Sequence, residues 1–188
     1  LGTYLVKLST RRISAADSNE AARLLKIIGD FERIADHGVN LVQSAEELRS
    51  KKMNFSPSAM AELTVLTKAV EEILGLSLDA FLKDDYNAAG MVEPLEQVID
   101  GLKEQLRTSH ILRLQKEECS IEAGFVWADL LTDLERVSDH CSNIAGCIMD
   151  MHQGKLNLHE SLRAMKEDRA QFDERCRMYR QKYALPVE

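Results

Sequence analysis

The sequence predicts an all-α protein of long antiparallel helices. Three observations carry that expectation. Apolar residues recur at spacings of three and four along most of the chain, and no segment sustains the apolar–polar alternation of a strand. Of the 188 residues 29% are charged and 5% aromatic, with only three prolines, a composition suited to helices. Helix start and stop signals also punctuate the periodic stretches.

Taken in order, residues 1–9 form an apolar-periodic stretch that reads as the end of a helix. The chain opens on Leu1 rather than Met, so we expect a fragment of something longer. Asp17 with Glu20 resembles a capping box and predicts a helix running to about residue 49. Residues 51–55 make a polar connector, and Ser56-Pro57 supplies an N-cap followed by proline at the first helical position. That helix extends to about Leu82, with Leu63, Leu66, Val70, Ile73 and Leu74 inside. After a turn over 83–87, a third helix is expected over 88–116, its early part kinked by Gly90, Pro94 and Gly101. Ser120 with Glu122 caps the next helix, which reaches about residue 152 and ends at Gly154. A last helix over 158–183 is heavily charged and expected to pack only by an edge, with 166–180 exposed.

The net charge of -7 argues against nucleic acid, whose binding rests on phosphate neutralisation, offers no polybasic membrane surface, and favours cations. Cys119, Cys141, Cys147 and Cys176 lack paired spacing, and we expect reduced, partly buried thiols. Neither a long apolar span nor a signal peptide is visible.

The most informative feature is a repeat. Residues 30–40, DFERIADHGVN, return at 133–143 as DLERVSDHCSN, with six identical positions: Asp, Glu, Arg, Asp, His and Asn. A packing repeat would keep apolar residues and let charges drift, whereas here the polar residues are retained. Side chains four apart on a helix lie one above the other, so Glu32, Asp36 and Asn40 form one line of oxygen ligands, and Glu135, Asp139 and Asn143 a second. Leu24, Ile28, Phe31, Ile34, Ala35, Leu41, Val42 and Ala45 cluster on the other side of the first helix. Phe125, Leu130, Leu134, Val137, Cys141, Ile144 and Ile148 do so on the second, placing both acidic lines on an outer, wettable face. Glu96 and Asp100 line up at helical spacing on the helix between and are candidate partners of the second line.

With these motifs the sequence resembles the PhoU family, whose members are built from two three-helix repeats, each bearing a Glu/Asp-x3-Asp-x3-Asn/Asp signature. The stretches 4–9, 93–100 and 119–125 look most like the cytoplasmic PhoU-like domain fused behind the membrane part of bacterial sodium/phosphate cotransporters. The resemblance covers residues 1–152 and implies a remnant of a first repeat over 1–50 and a complete repeat over 56–153; for the extra helix over 157–184 it says only that such tails are common in these proteins. It implies a non-enzymatic regulator of phosphate uptake on the cytoplasmic side of the membrane, whose partner is the transporter part of the same polypeptide or a phosphate-signalling protein. It also implies iron, zinc or another divalent cation on surface carboxylates: Glu32, Asp36 and Asn40 at one site, and Glu135, Asp139 and Asn143 with Glu96 and Asp100 at the other. Two helices of the first repeat are missing, so its motif helix needs cover and we expect self-association into a homo-oligomer.

Plainer readings stand beside these. The acidic lines could be solvated faces with Glu32/Arg33 and Glu135/Arg136 surface pairs worth about 0–1 kcal/mol. A metal-free docking scaffold, or a stand-alone PhoU-type signalling regulator, is the alternative function. Oxygen donors suit magnesium, calcium, manganese or ferric iron better than structural zinc. His37 and His140 point about 100° from the motif Asp, which favours interhelical hydrogen bonds over ligation. Asp30 and Asp133 favour helix–helix ion pairs, and Arg33 and Arg136 interhelical acids. A di-metal carboxylate enzyme would need Glu-x-x-His pairs, and in both motifs His follows Glu by five.

Overall fold

The computed structural model describes residues 2–9, 14–153 and 169–186. Six helices make up the described residues, with no strand among them: α1 (Gly2–Ser9), α2 (Ala15–Ser50), α3 (Pro57–Lys83), α4 (Tyr86–Gln115), α5 (Ile121–Gln153) and α6 (Arg169–Lys182). No helix among these residues is long and apolar enough to cross a membrane. The expected stop at Gly154 and the residues 157–168 of the last helix lie outside the described residues.

Helices α3, α4 and α5 pack together around one core, in which Leu66, Ile73, Leu95, Ile99, Leu106, Trp127 and Ile144 are fully buried. Helix α2 lies along α5, α6 packs on α4, and α1 on α2. All four cysteines are free, and burial pushes the Cys141 thiol up to about 12.

Local chemistry sets the boundaries. The box at the start of α2 is Ser14 with Asp17, one turn earlier than the expected Asp17 with Glu20. Ser14 Oγ accepts from the Asp17 amide at 3.1 Å, and Asp17 Oδ2 accepts from the Ser14 amide at 3.3 Å. Ser56 caps α3 through the Ala59 amide, with Pro57 at the first helical position. Asp85 Oδ1 accepts from the amides of Asn87 and Ala88 and starts α4 at Tyr86, two residues earlier than expected.

Pro94 stays inside α4 without ending it. Having no N–H, it leaves the Gly90 carbonyl without its intrahelical donor. Arg175 of α6 fills that place, with Nη1 donating to Gly90 O at 2.8 Å. Phe172, Cys176 and Tyr179 are buried on the same helix. The expectation of an exposed, edge-packed last helix is therefore corrected over 169–182: its charges lie outside, but one face is closed against α4.

Two other expected faces are also corrected. Phe125 is 69% exposed, because it sits about 200° round the helix from the buried Trp127. On α2 the side turned to α5 carries buried Asp30 and Ser44, while Val39 and Val42 stand 56% and 60% exposed.

Candidate functional site

The repeated motif splits into two sets of residues. The first set joins the two motif helices. His37 Nδ1 lies 2.7 Å from Asp133 Oδ1, and His140 Nδ1 lies 2.9 Å from Asp30 Oδ1. Position one of each copy thus meets position eight of the other, and the two rings stack between them at 5.7 Å. Facing a carboxylate, each ring donates through Nδ1. Asn40 adds a second donor to Asp133 Oδ1 at 3.0 Å, so its amide serves this joint. Antiparallel packing of two copies of one sequence produces the reciprocity of the Asp–His pairs, whereas the Asn40 bond is not repeated by Asn143 among the described residues.

The second set is the acidic line. On α2, Glu32 and Asp36 stand exposed, and no acidic helix faces them among the described residues. On α5 the line is not on an outer face as expected: Glu135, Asp139 and Asn143 are half-buried, because α4 runs beside them. Buried Glu93 holds that stretch of α4 in place, accepting from Ser142 Oγ at 2.6 Å. One α4 turn further on, Glu96 and Asp100 come together with Asp139, with one ligand oxygen from each lying within 4.8 Å of the others. Among the described residues this is the only such group.

Two cations edge the cluster. Lys103 Nζ lies 2.9 Å from Glu135 Oε1, and Arg136 reaches Asp139 at 3.1 Å and Glu135 at 3.7 Å. The expectation that Arg136 pairs with another helix is corrected, since both its acids lie on α5. Arg33 is exposed.

Four carboxylates against two cations leave repulsion in place. Burial raises the Asp100 pKa, helped by the charges of Glu135 and Asp139. Burial likewise raises that of Asp139, with Glu135 adding to it and Arg136 opposing. Between the ordinary value of 3.8 and the raised one, the folded chain holds more protons than the unfolded chain. Stability from these two groups is therefore present at low pH and falls as pH rises through the raised values. A hard cation would offset the same repulsion, and the all-oxygen donor set fits one. Glu96, Asp100 and Asp139 would hold it, with Glu135 at the edge once released from Lys103.

Sequence reasoning missed Lys103, although a lone basic residue three positions after Asp100 on an acidic face was a signal. It also missed a buried pair beneath the neighbouring surface, where Arg113 of α4 donates to Glu62 of α3 through its two terminal nitrogens, at 3.1 and 2.9 Å. Arg113 also lies over the Trp127 ring at 5.5 Å.

A helical bundle with a half-buried acidic cluster on its second motif helix is the class these observations define, and the sequence model of the PhoU domain matches residues 63–148, which contain that cluster. The match covers that stretch of the chain alone, and the chain as a whole is similar to PhoU accessory proteins. It is similar to the phosphate-specific transport system accessory protein PhoU homolog 1 of Thermotoga maritima, 27% identical over 143 residues, covering 76% of this chain and 60% of that protein. The PhoU homolog of Pseudomonas aeruginosa is 26% identical over 163 residues, covering 86% of this chain and 66% of its own length. The chain thus spans less than two thirds of these relatives. No solved structure gives a significant match.

Proposed function

We propose that this chain is a non-enzymatic regulatory domain of phosphate uptake, acting as a cytoplasmic accessory to a phosphate transport system. The observation that carries the reading is the PhoU domain over residues 63–148, in relatives named as accessory proteins of phosphate-specific transport. Those names favour the stand-alone accessory type over the cytoplasmic part of a sodium/phosphate cotransporter, which rests on the resemblance around the motifs. In this reading residues 56–153 are a complete repeat and 1–50 the remnant of another. The exposed Val39 and Val42 on α2 then mark where a second copy or further helices add cover.

The acidic cluster is the regulatory element, holding a divalent cation on Glu96, Asp100 and Asp139. A bound ion supplies positive charge at an otherwise acidic surface, with coordination positions open to an anionic group of a partner.

The test is uptake of radiolabelled phosphate in cells lacking the gene. Loss of the gene should deregulate uptake, the wild-type gene should restore control, and a Glu96→Gln/Asp139→Asn gene should not. Uptake indifferent to loss of the gene would contradict the proposal. If the uptake lost with the gene is sodium-driven, the cotransporter reading replaces the accessory one.

A further inference from the structure

Next to the acidic cluster, a groove of about 450 Å³ opens between α4 and α5. Lys103, Arg107, His110 and Ile111 line it from α4, and Trp127 and Leu131 from α5. Its volume falls in the range that takes small molecules, about 300–1,000 Å³. More of its lining is apolar than polar.

Its charge runs against the rest of the molecule. In a chain of net charge -7, Lys103 and Arg107 stand four residues apart on one rim. Like charges at that spacing oppose a helix unless something compensates them. Glu135 answers Lys103, whereas Arg107 makes no ion pair or hydrogen bond among the described residues. His110 does not add to the charge: burial lowers its pKa, and the neighbouring Arg113 lowers it further.

Behind the wall lies a buried ring. Trp127 is 1% exposed, and its Nε1–H has no hydrogen-bond partner. An indole nitrogen can only donate, and a buried donor left unpaired is costly. The ring is held in place by His110, stacked at 5.8 Å, by the edge contact of Phe55 at 4.9 Å, and by Arg113. The groove is therefore backed by a fixed, buried ring and presents an unanswered cation at its rim.

We propose that this groove binds a small soluble anion carried on an apolar body, a carboxylate, sulfonate or phosphate on an aromatic or short aliphatic frame. The body lies between Ile111 and Ala128, above the buried Trp127 and Leu131. The anionic head sits at Arg107 and Lys103.

Trp127 is the sole tryptophan of the chain, so its emission reports on the groove directly. The experiment titrates the full chain with 1-anilinonaphthalene-8-sulfonate while following Trp127 emission and energy transfer to the probe. Saturable binding at a single site is expected. Arg107→Met, which removes a side chain without other ion pairs, should weaken it about fivefold or more, as should replacing the probe by neutral N-phenyl-1-naphthylamine. Ala128→Phe, at an exposed position on the groove wall, should abolish it, while Val42→Ser on α2 should leave it unchanged. Unsaturable emission changes, full binding by Ala128→Phe, equal affinity for the neutral probe, or loss in Val42→Ser would each overturn the proposal.

Discussion

Glu62→Ala will destabilise the chain by about 3–5 kcal/mol, the largest single effect expected of any polar residue in it. Arg113 is 3% exposed and donates to Glu62 through its two terminal nitrogens. Removing the carboxylate strands a guanidinium that cannot lose its proton and is almost wholly buried. For a chain of this size the loss corresponds to a fall in Tm of roughly 6–20 °C. Replacing both partners at once by methionine should cost far less, because the desolvation of two charges disappears together with their attraction. Thermal melts of the single and double variants separate the two cases. A double variant as unstable as Glu62→Ala would show that the pair contributes through its attraction. Since Arg113 also lies against Trp127, Glu62→Ala should shift the tryptophan emission.

Asp133→Ala is the second large effect, expected at about 2–3 kcal/mol from two lost hydrogen bonds to a buried carboxylate. Asp133 accepts from both His37 and Asn40, so its removal leaves two donors unmatched between α2 and α5. Asp30→Ala, which strands only His140, should cost less. A double-mutant cycle of His37→Ala with Asp133→Ala should return a coupling of about 0.5–3 kcal/mol. The same cycle on His37 and Asp30, which are not paired, should return a much smaller one. Equal couplings would mean that the reciprocal joint is not what holds α2 to α5.

What could be read in the sequence follows from what is local. Helix periodicity and the Ser56-Pro57 start depend on neighbours in the chain, and those elements stand where the pattern places them. The α2 start at Ser14 escaped because its box closes with Asp17, a shorter acid than the Glu or Gln that usually marks one. Pro94 read as a kink, since nothing near it in sequence announces that Arg175, 81 positions later, supplies the missing donor.

The motif was half legible. Its polar repetition separated Asp30, His37, Asp133 and His140 from the ligand line by helical angle alone, and pointed them toward other helices. That the two pairs answer each other needed the packing of α2 on α5. The outward direction of the second acidic line was misread because periodicity gives the face of a helix, not which neighbour covers it. Lys103 against Glu135 and Arg113 against Glu62 share that origin: both are contacts between helices distant in sequence.

Together the two sets give the motif a divided role, with Asp and His joining the copies, and Asp139 of the second copy meeting Glu96 and Asp100 of α4 in the cluster proposed to hold a cation. Manganese binding by equilibrium dialysis at neutral pH tests that division most directly. Wild type should take up manganese and gain thermal stability with it, since a ligand of the folded state alone raises stability by mass action. Asp139→Asn should bind about tenfold or more weakly, and the Asp139→Asn apo protein should melt higher than wild type because a repelled charge is gone. Asp133→Ala, despite its lower stability, should keep its manganese affinity, as should Glu32→Gln/Asp36→Asn. Undiminished binding by Asp139→Asn, or binding lost with Glu32 and Asp36 instead, would contradict the account.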